Sequence, residues 1–238
     1  MRTLMWCLAA VMIGAPASRV LGQSGNDAAG YIALVSTPTA GVPPVVKQWM
    51  LADPAHGVGV ESQWGHVSGN GGSLDTFVSG VMLPLAEGRA DVGFSAGYLK
   101  ATCDLGDCAG YAVASGVVEG RVLQSQAGSA TFVLGLSGRI GFAKPSDATL
   151  WSASASAPLS LAMGSPTGVQ FVPFVSPGFG WGHITDSNNS ESGTRFMLGG
   201  GVGIVSMNFG LGFTLGAQKV FIDGGKLVFG AGVTWARR

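Results

Sequence analysis

The sequence predicts an all-β fold, a closed antiparallel transmembrane up-and-down β-barrel. It has about ten strands, or eight if the first two, weakly patterned segments lie outside it. Three observations carry this expectation. First, apolar residues alternate with small or polar ones at a period of two through most of the chain. In "NFGLGFTLGAQ", Phe209, Leu211, Phe213, Leu215 and Ala217 share one face. Second, charged residues are only 11% of the chain and glycine takes 40 of 238 positions, too little polar surface for an ordinary water-soluble domain. Third, the alternating segments have roughly the length a tilted strand needs to cross a bilayer, about 9–11 residues.

The chain opens with "MRTLMWCLAAVMIGAPASRVLGQ". One Arg, an apolar run too short to span a bilayer as a helix, and then small residues make the layout of a secretory signal peptide over residues 1–22. Cleavage fits after Ala17 or Gly22. Removing residues 1–22 takes Arg2 and Arg19 from the 13 bases and leaves 11 against 13 acids. So near a balance gives no basic footprint for nucleic acid. Residues 23–56 are punctuated by Gly and Pro, have no clear period, and read as an irregular periplasmic leader.

From residue 57 the barrel begins. Alternating segments fall near 57–65, 73–85, 89–100, 110–122, 129–142, 149–163, 168–182, 193–206, 207–218 and 226–236. Turn signals such as Asn70-Gly71-Gly72, Glu87-Gly88, Ser165-Pro166 and Asp223-Gly224-Gly225 separate them. A bundle of membrane helices is the rival. The uncharged run Phe196–Ala217 would pass a hydropathy window, but it carries seven glycines, each costing about 1 kcal/mol in a helix. Its apolar period is two, not 3.6, and the strand reading stands.

Taking the more apolar parity as outward assigns the faces. Phe132, Leu134, Leu136, Ile140 and Phe142 face out on the fifth segment, and Trp151, Ala153, Ala155, Leu159 and Leu161 on the sixth. Glu61, Asp91, Arg139 and Arg195 then all fall on the inward parity. Glu119 and Arg121 are inward too, although they helped to choose the parity of their segment. An Arg or Lys facing lipid at mid-bilayer costs about 2–4 kcal/mol, which this layout avoids. If the first strand runs outward from the periplasm, short inner turns alternate with longer, more polar outer loops, including Ala101–Ala109 and His183–Ser192. Lipid-facing Trp64, Tyr98, Trp151 and Trp181 then form an aromatic girdle at the outer rim. Phe132, Phe171, Phe209 and Trp235 form one at the inner rim.

Cys103 and Cys108 in "CDLGDC" are spaced for neither a CxxC redox pair nor a zinc site. In an exported chain they read as a short-loop disulfide worth about 2 kcal/mol. No metal site and no cofactor are expected, since the P-loop and HExxH patterns are absent.

The segments "FVPFVSPGFGWGH", "GGGVGI", "NFGLGFTLGAQ" and "LVFGAGVTWARR" resemble the small outer-membrane β-barrel proteins of the OmpA-like and opacity-type group. The resemblance implies residence in the bacterial outer membrane, contact with its lipid, assembly by the barrel assembly machinery, and no particular surface ligand. Such barrels usually end on an aromatic residue, whereas here Trp235 is followed by Ala236, Arg237 and Arg238. His66 and His183, with Asp186 near the second, are similar in placement to the rim residues of outer-membrane proteases. "HITDSNNSE" is similar to the His-x-Ser pattern of a barrel lipid A deacylase, with Thr185 in place of Ser. A hydrolase needs base, nucleophile and orienter together, and solvated loop residues are the stronger reading. The expectation is a non-enzymatic barrel with a structural or minor small-solute channel role, or a barrel whose loops bind a surface partner. The inward charges Glu61, Asp91, Glu119, Arg121, Arg139 and Arg195 either seal the lumen as salt bridges or line a narrow passage.

Overall fold

The computed structural model describes residues 57–69, 72–85, 89–103, 106–144, 148–165, 167–186, 190–221 and 227–236. The expected signal peptide and leader lie outside them, as do Arg237 and Arg238. The elements are β1 (Gly59–Gly69), β2 (Gly72–Leu85), β3 (Ala90–Cys103), β4 (Gly106–Ala127), β5 (Ala130–Ala143), β6 (Ala148–Ser156), β7 (Leu159–Gly164), β8 (Val169–Asp186), β9 (Ser190–Ser206), β10 (Leu211–Val220) and β11 (Leu227–Ala236).

Strands adjacent in sequence pair antiparallel, β6 and β7 excepted, and β1 pairs with β11 from Gly59↔Ala236 to Val67↔Val228, which closes the barrel. β6 and β7 are two halves of one barrel strand, so the barrel has ten. The register on β5 continues across the gap, from Ser137↔Ser156 to Leu134↔Leu159. Pro158 causes the interruption, because it has no N–H to give the ladder. Its carbonyl still accepts from Gly135 N (2.9 Å), and Ala157 N donates to the Pro177 carbonyl (2.9 Å). Closure leaves no sheet edge along the paired length, the condition for strands in hydrocarbon.

The faces follow the predicted parity. Phe94, Ile140, Phe179, Phe213 and Leu215 are exposed on the outside, while Val78, Leu99, Val133, Val172 and Val205 are buried inside. "Inner" below is the end where β1 starts and β11 stops, and "outer" is the opposite end.

Several boundaries differ from expectation. The short inner turn that the sequence places at Met207-Asn208 extends over residues 207–210, so β10 starts four residues later than the expected segment, and Gly210 adopts φ +61° there. The two-residue period of "NFGLGF" runs unbroken across this turn, which hides its far end. β4 continues past 122 to Ala127, pairing with β5 down to Ala127↔Ala130 after an irregularity between Arg121 and Leu123. The expected outer loops shrink as well. β1 runs to Gly69, β3 to Cys103, β8 to Asp186, and β9 starts at Ser190. Polar residues continue the ladder in water as readily as in the membrane, so strand ends need not mark the apolar band.

Gly210 also lies close to the end of β11. Its carbonyl accepts from Ala236 N (2.8 Å), and a Cβ on residue 210 would sit 2.1 Å from the Ala236 carbonyl oxygen. Left-handed backbone costs a non-glycine residue about 1–2 kcal/mol. Gly210→Ala is therefore expected to lower stability by at least about 1 kcal/mol in equilibrium urea unfolding. An unchanged midpoint would contradict the turn geometry.

The barrel interior as candidate functional site

The inward parity of each strand sends side chains to three levels. At the inner end, Val133, Ala162, Val172, Phe174, Val205, Met207 and Ala236 form one buried cluster. At the outer end, Val78, Leu99, Val113, Ala143 and Leu150 form another, with Leu74, Tyr111 and Ile184 against it and Val67 and Val228 beside Leu74. Between them lies a polar level. On β5 the order is Val133, Ser137, Arg139, Ala143, and on β11 it is Ala236, Thr234, Val228, so apolar residues bracket polar ones on both strands.

The polar level holds a buried ion pair. Glu119 faces Ser137 across the β4–β5 ladder, and Arg139 lies one inward position further toward the outer end. Arg139 Nη2 donates to Glu119 Oε1 at 2.8 Å, with side-chain exposures of 6% and 0%. Arg139 Nε donates to Ser137 Oγ at 3.4 Å, which fixes the plane of the guanidinium. A charge-assisted contact of this length between buried groups is strong locally, but both ions have lost their hydration. Glu61 and Asp91 are buried on the same inward face, and Gln63 Nε2 donates to Glu61 Oε2 at 3.0 Å.

Space for these side chains comes partly from glycine. A Cβ on Gly93 would lie 2.1 Å from Met82 Sδ and 2.8 Å from Val117 Cγ1, so Met82 lies across the strand where that side chain would stand.

The six inward charges are not one cluster. Glu119 and Arg139 pair. Arg121 faces inward but stands at the inner mouth beside Arg89, and its side chain hydrogen-bonds Gln124. Arg195 lies toward the outer end, where Nη1 donates to the Thr194 carbonyl at 3.0 Å. The apolar clusters were not singled out by sequence reasoning, which argued the state of the lumen from the inward charges. A readable signal existed: inward positions near both ends of several strands, such as Val133, Val172 and Val78, are β-branched and apolar.

Outside, Trp64, Tyr98 and Trp151 are exposed toward the outer end and Trp181 is half-buried there, while Phe171 and Trp235 are exposed near the inner end. Phe209 is exposed in the inner turn, not on a strand. Tyr98 lies over Gly110 of β4, and Trp151 packs against Phe142 at 4.7 Å between ring centroids. The side chains of Cys103, Cys108 and Asp186 lie outside the described residues. His66 and His183 do not converge, being on β1 and β8 with three strands between them on one side. His66 Nδ1 contacts Asp75 Oδ1 at 2.8 Å, and His183 Nε2 contacts Thr185 Oγ1 at 2.9 Å. Among the described residues no group of His, Cys, Asp and Glu is arranged to hold a metal ion.

No protein-family model matches the chain, and no curated protein matches it. Among solved structures 58 chains match. The β domain of the Bordetella autotransporter Brka is 11% identical, with TM-score 0.43, over 77% of this chain and 100% of that one. The N-terminal β-barrel domain of Pseudomonas aeruginosa OprF is 13% identical, with TM-score 0.34, over 76% of this chain and 99% of that one. Neisserial surface protein A is 14% identical, with TM-score 0.33, over 76% and 97%.

Proposed function

We propose that the chain is a bacterial outer-membrane barrel with a structural role and a lumen closed to solutes. The supporting observation is the layering of the interior, a buried Glu119–Arg139 pair between two apolar clusters whose members include Val133, Val172, Val205 and Leu99 at 0–1% exposure. A conducting passage needs a continuous polar path, and apolar constrictions close pores by excluding water. Lipid meets the outer face, and the barrel assembly machinery inserts the chain. Kinship with the OmpA-like and opacity-type group is the finer form of this reading, supported by the glycine-alternating strands. The role is non-catalytic, as His66 and His183 each pair locally and stand on separate strands.

Conductance of the full chain in a planar bilayer tests it, after a heat-sensitive gel shift has established folding. The expected result is a folded, silent barrel. Discrete conductance steps altered by Arg139→Ala or Glu119→Ala would replace the closed lumen with a minor channel.

A further inference from the structure

The charges on the outward face are distributed unevenly along the barrel axis. Among the described residues, every outward-facing charged or imidazole side chain lies toward the outer end: His66 on β1, Asp75 on β2, Lys100 on β3, Lys144 just after β5, His183 on β8 and Lys219 on β10. Five are basic and one is acidic. The inner half of the outward face carries Val60, Leu83, Phe132, Leu161, Phe171 and Trp235 among others, and no charge among the described residues. The inner-end cations Arg89 and Arg121 are on the inward parity and do not enter this count.

The basic groups are set among aromatics on the same surface. The tripeptide Trp-Gly-His occurs twice, at 64–66 and 181–183. In both copies the period of two puts Trp and His on one face, and their rings stack. Trp64 and His66 are 5.8 Å apart at 16°, and Trp181 and His183 are 5.7 Å apart at 3°. Lys219 Nζ sits 5.7 Å from the Phe221 ring, which continues through Phe196 to Phe179 in an aromatic row. His66, Asp75 and Lys100 are cross-strand neighbours in one register row. The surface at this end therefore combines rings suited to a headgroup region with basic groups on the same outward face.

We infer that the outer rim is a seat for anionic, phosphate-bearing lipid headgroups, held by Lys100, Lys144 and Lys219 with the imidazoles of His66 and His183. The inference rests on the membrane-spanning reading of the barrel and gives it a direction. Phosphate oxygens accept from ammonium and imidazole N–H groups, and a negatively charged leaflet strengthens association about fivefold for each nearby cation. A zwitterionic headgroup gains less from the same groups, because its own cation faces the same belt. The uncharged inner half makes no such distinction between lipids.

The test reconstitutes the full chain in phosphatidylcholine vesicles carrying spin-labelled phosphatidylglycerol or spin-labelled phosphatidylcholine, and reads the motionally restricted lipid at the barrel surface. Phosphatidylglycerol is expected to be preferred by at least about threefold at low ionic strength, falling toward parity in about 1 M salt. The combined variant Lys100→Gln, Lys144→Gln, Lys219→Gln should lose most of that preference. His66→Gln with His183→Gln, a second route should the triple variant not fold, should lose part of it. An inserted barrel with no lipid preference, or with one these variants leave intact, overturns the inference and leaves the membrane reading standing. A barrel that inserts into neither vesicle overturns both.

Discussion

Arg139→Ala is expected to cost about 3–5 kcal/mol of folding stability, the largest single effect of any side chain in the lumen. The substitution removes the guanidinium that donates to Glu119 at 2.8 Å while the carboxylate stays at 0% exposure. Desolvation of that carboxylate is then no longer offset by its ion pair with Arg139. Urea unfolding in lipid vesicles, followed by tryptophan fluorescence and by the gel shift, measures the loss. The double variant Glu119→Leu, Arg139→Met should recover most of it, since replacing both ions with apolar side chains removes the desolvation cost together with the attraction. The size of the effect also reports on the lumen. A loss under about 1 kcal/mol would be the value for a solvated pair and would mean water reaches this level, against the closed interior.

Much of this architecture was legible in the sequence because a barrel strand is read two residues at a time. An apolar outer wall and a packed lumen give opposite parities different chemistry, so Ile140 outward and Arg139 inward could be assigned from one segment. Strand count also came through, since Pro158 interrupts a ladder but not its register. What stayed hidden depends on something other than parity. The sequence places the turn after β9 at Met207-Asn208, but its extension to residue 210 sits inside an unbroken alternation and is set by the left-handed Gly210, which in sequence looks like any other glycine of that run. The extension of β4 to Ala127 depends on β5 offering a partner below the level where β3 begins. The separation of Arg121 from Glu119 and Arg139 likewise depends on how far each lies along its strand, whereas parity gives only the side of the wall. Inward valines at the strand ends were visible, but their meaning as apolar layers appears only when strands as distant as β5 and β11 are brought round one lumen.

Leu215→Arg distinguishes a barrel in lipid from a barrel that merely exposes leucine to water. Leu215 is 62% exposed on the outward face, five residues from the outer end of β10 and four from its inner end, between Val202 of β9 and Ala231 of β11. In water, an exposed Leu exchanged for Arg changes stability little, because the new charge is hydrated. In hydrocarbon at mid-depth the same exchange costs about 2–4 kcal/mol, and near the interface only about 0–1 kcal/mol. Phe209→Arg supplies the second value, since Phe209 is 76% exposed in the inner turn. Both variants measured in vesicles should therefore differ, with Leu215→Arg the more destabilising by about 2 kcal/mol or more. The depth dependence is the informative quantity, because a general intolerance of arginine would affect both sites alike. Equal and small losses would place the outward face in water and require another cover for Phe94, Ile140 and Phe179, which are 60%, 61% and 60% exposed. A steep difference would locate the hydrocarbon against the middle of β10 and set the inner boundary of the apolar band near the 207–210 turn.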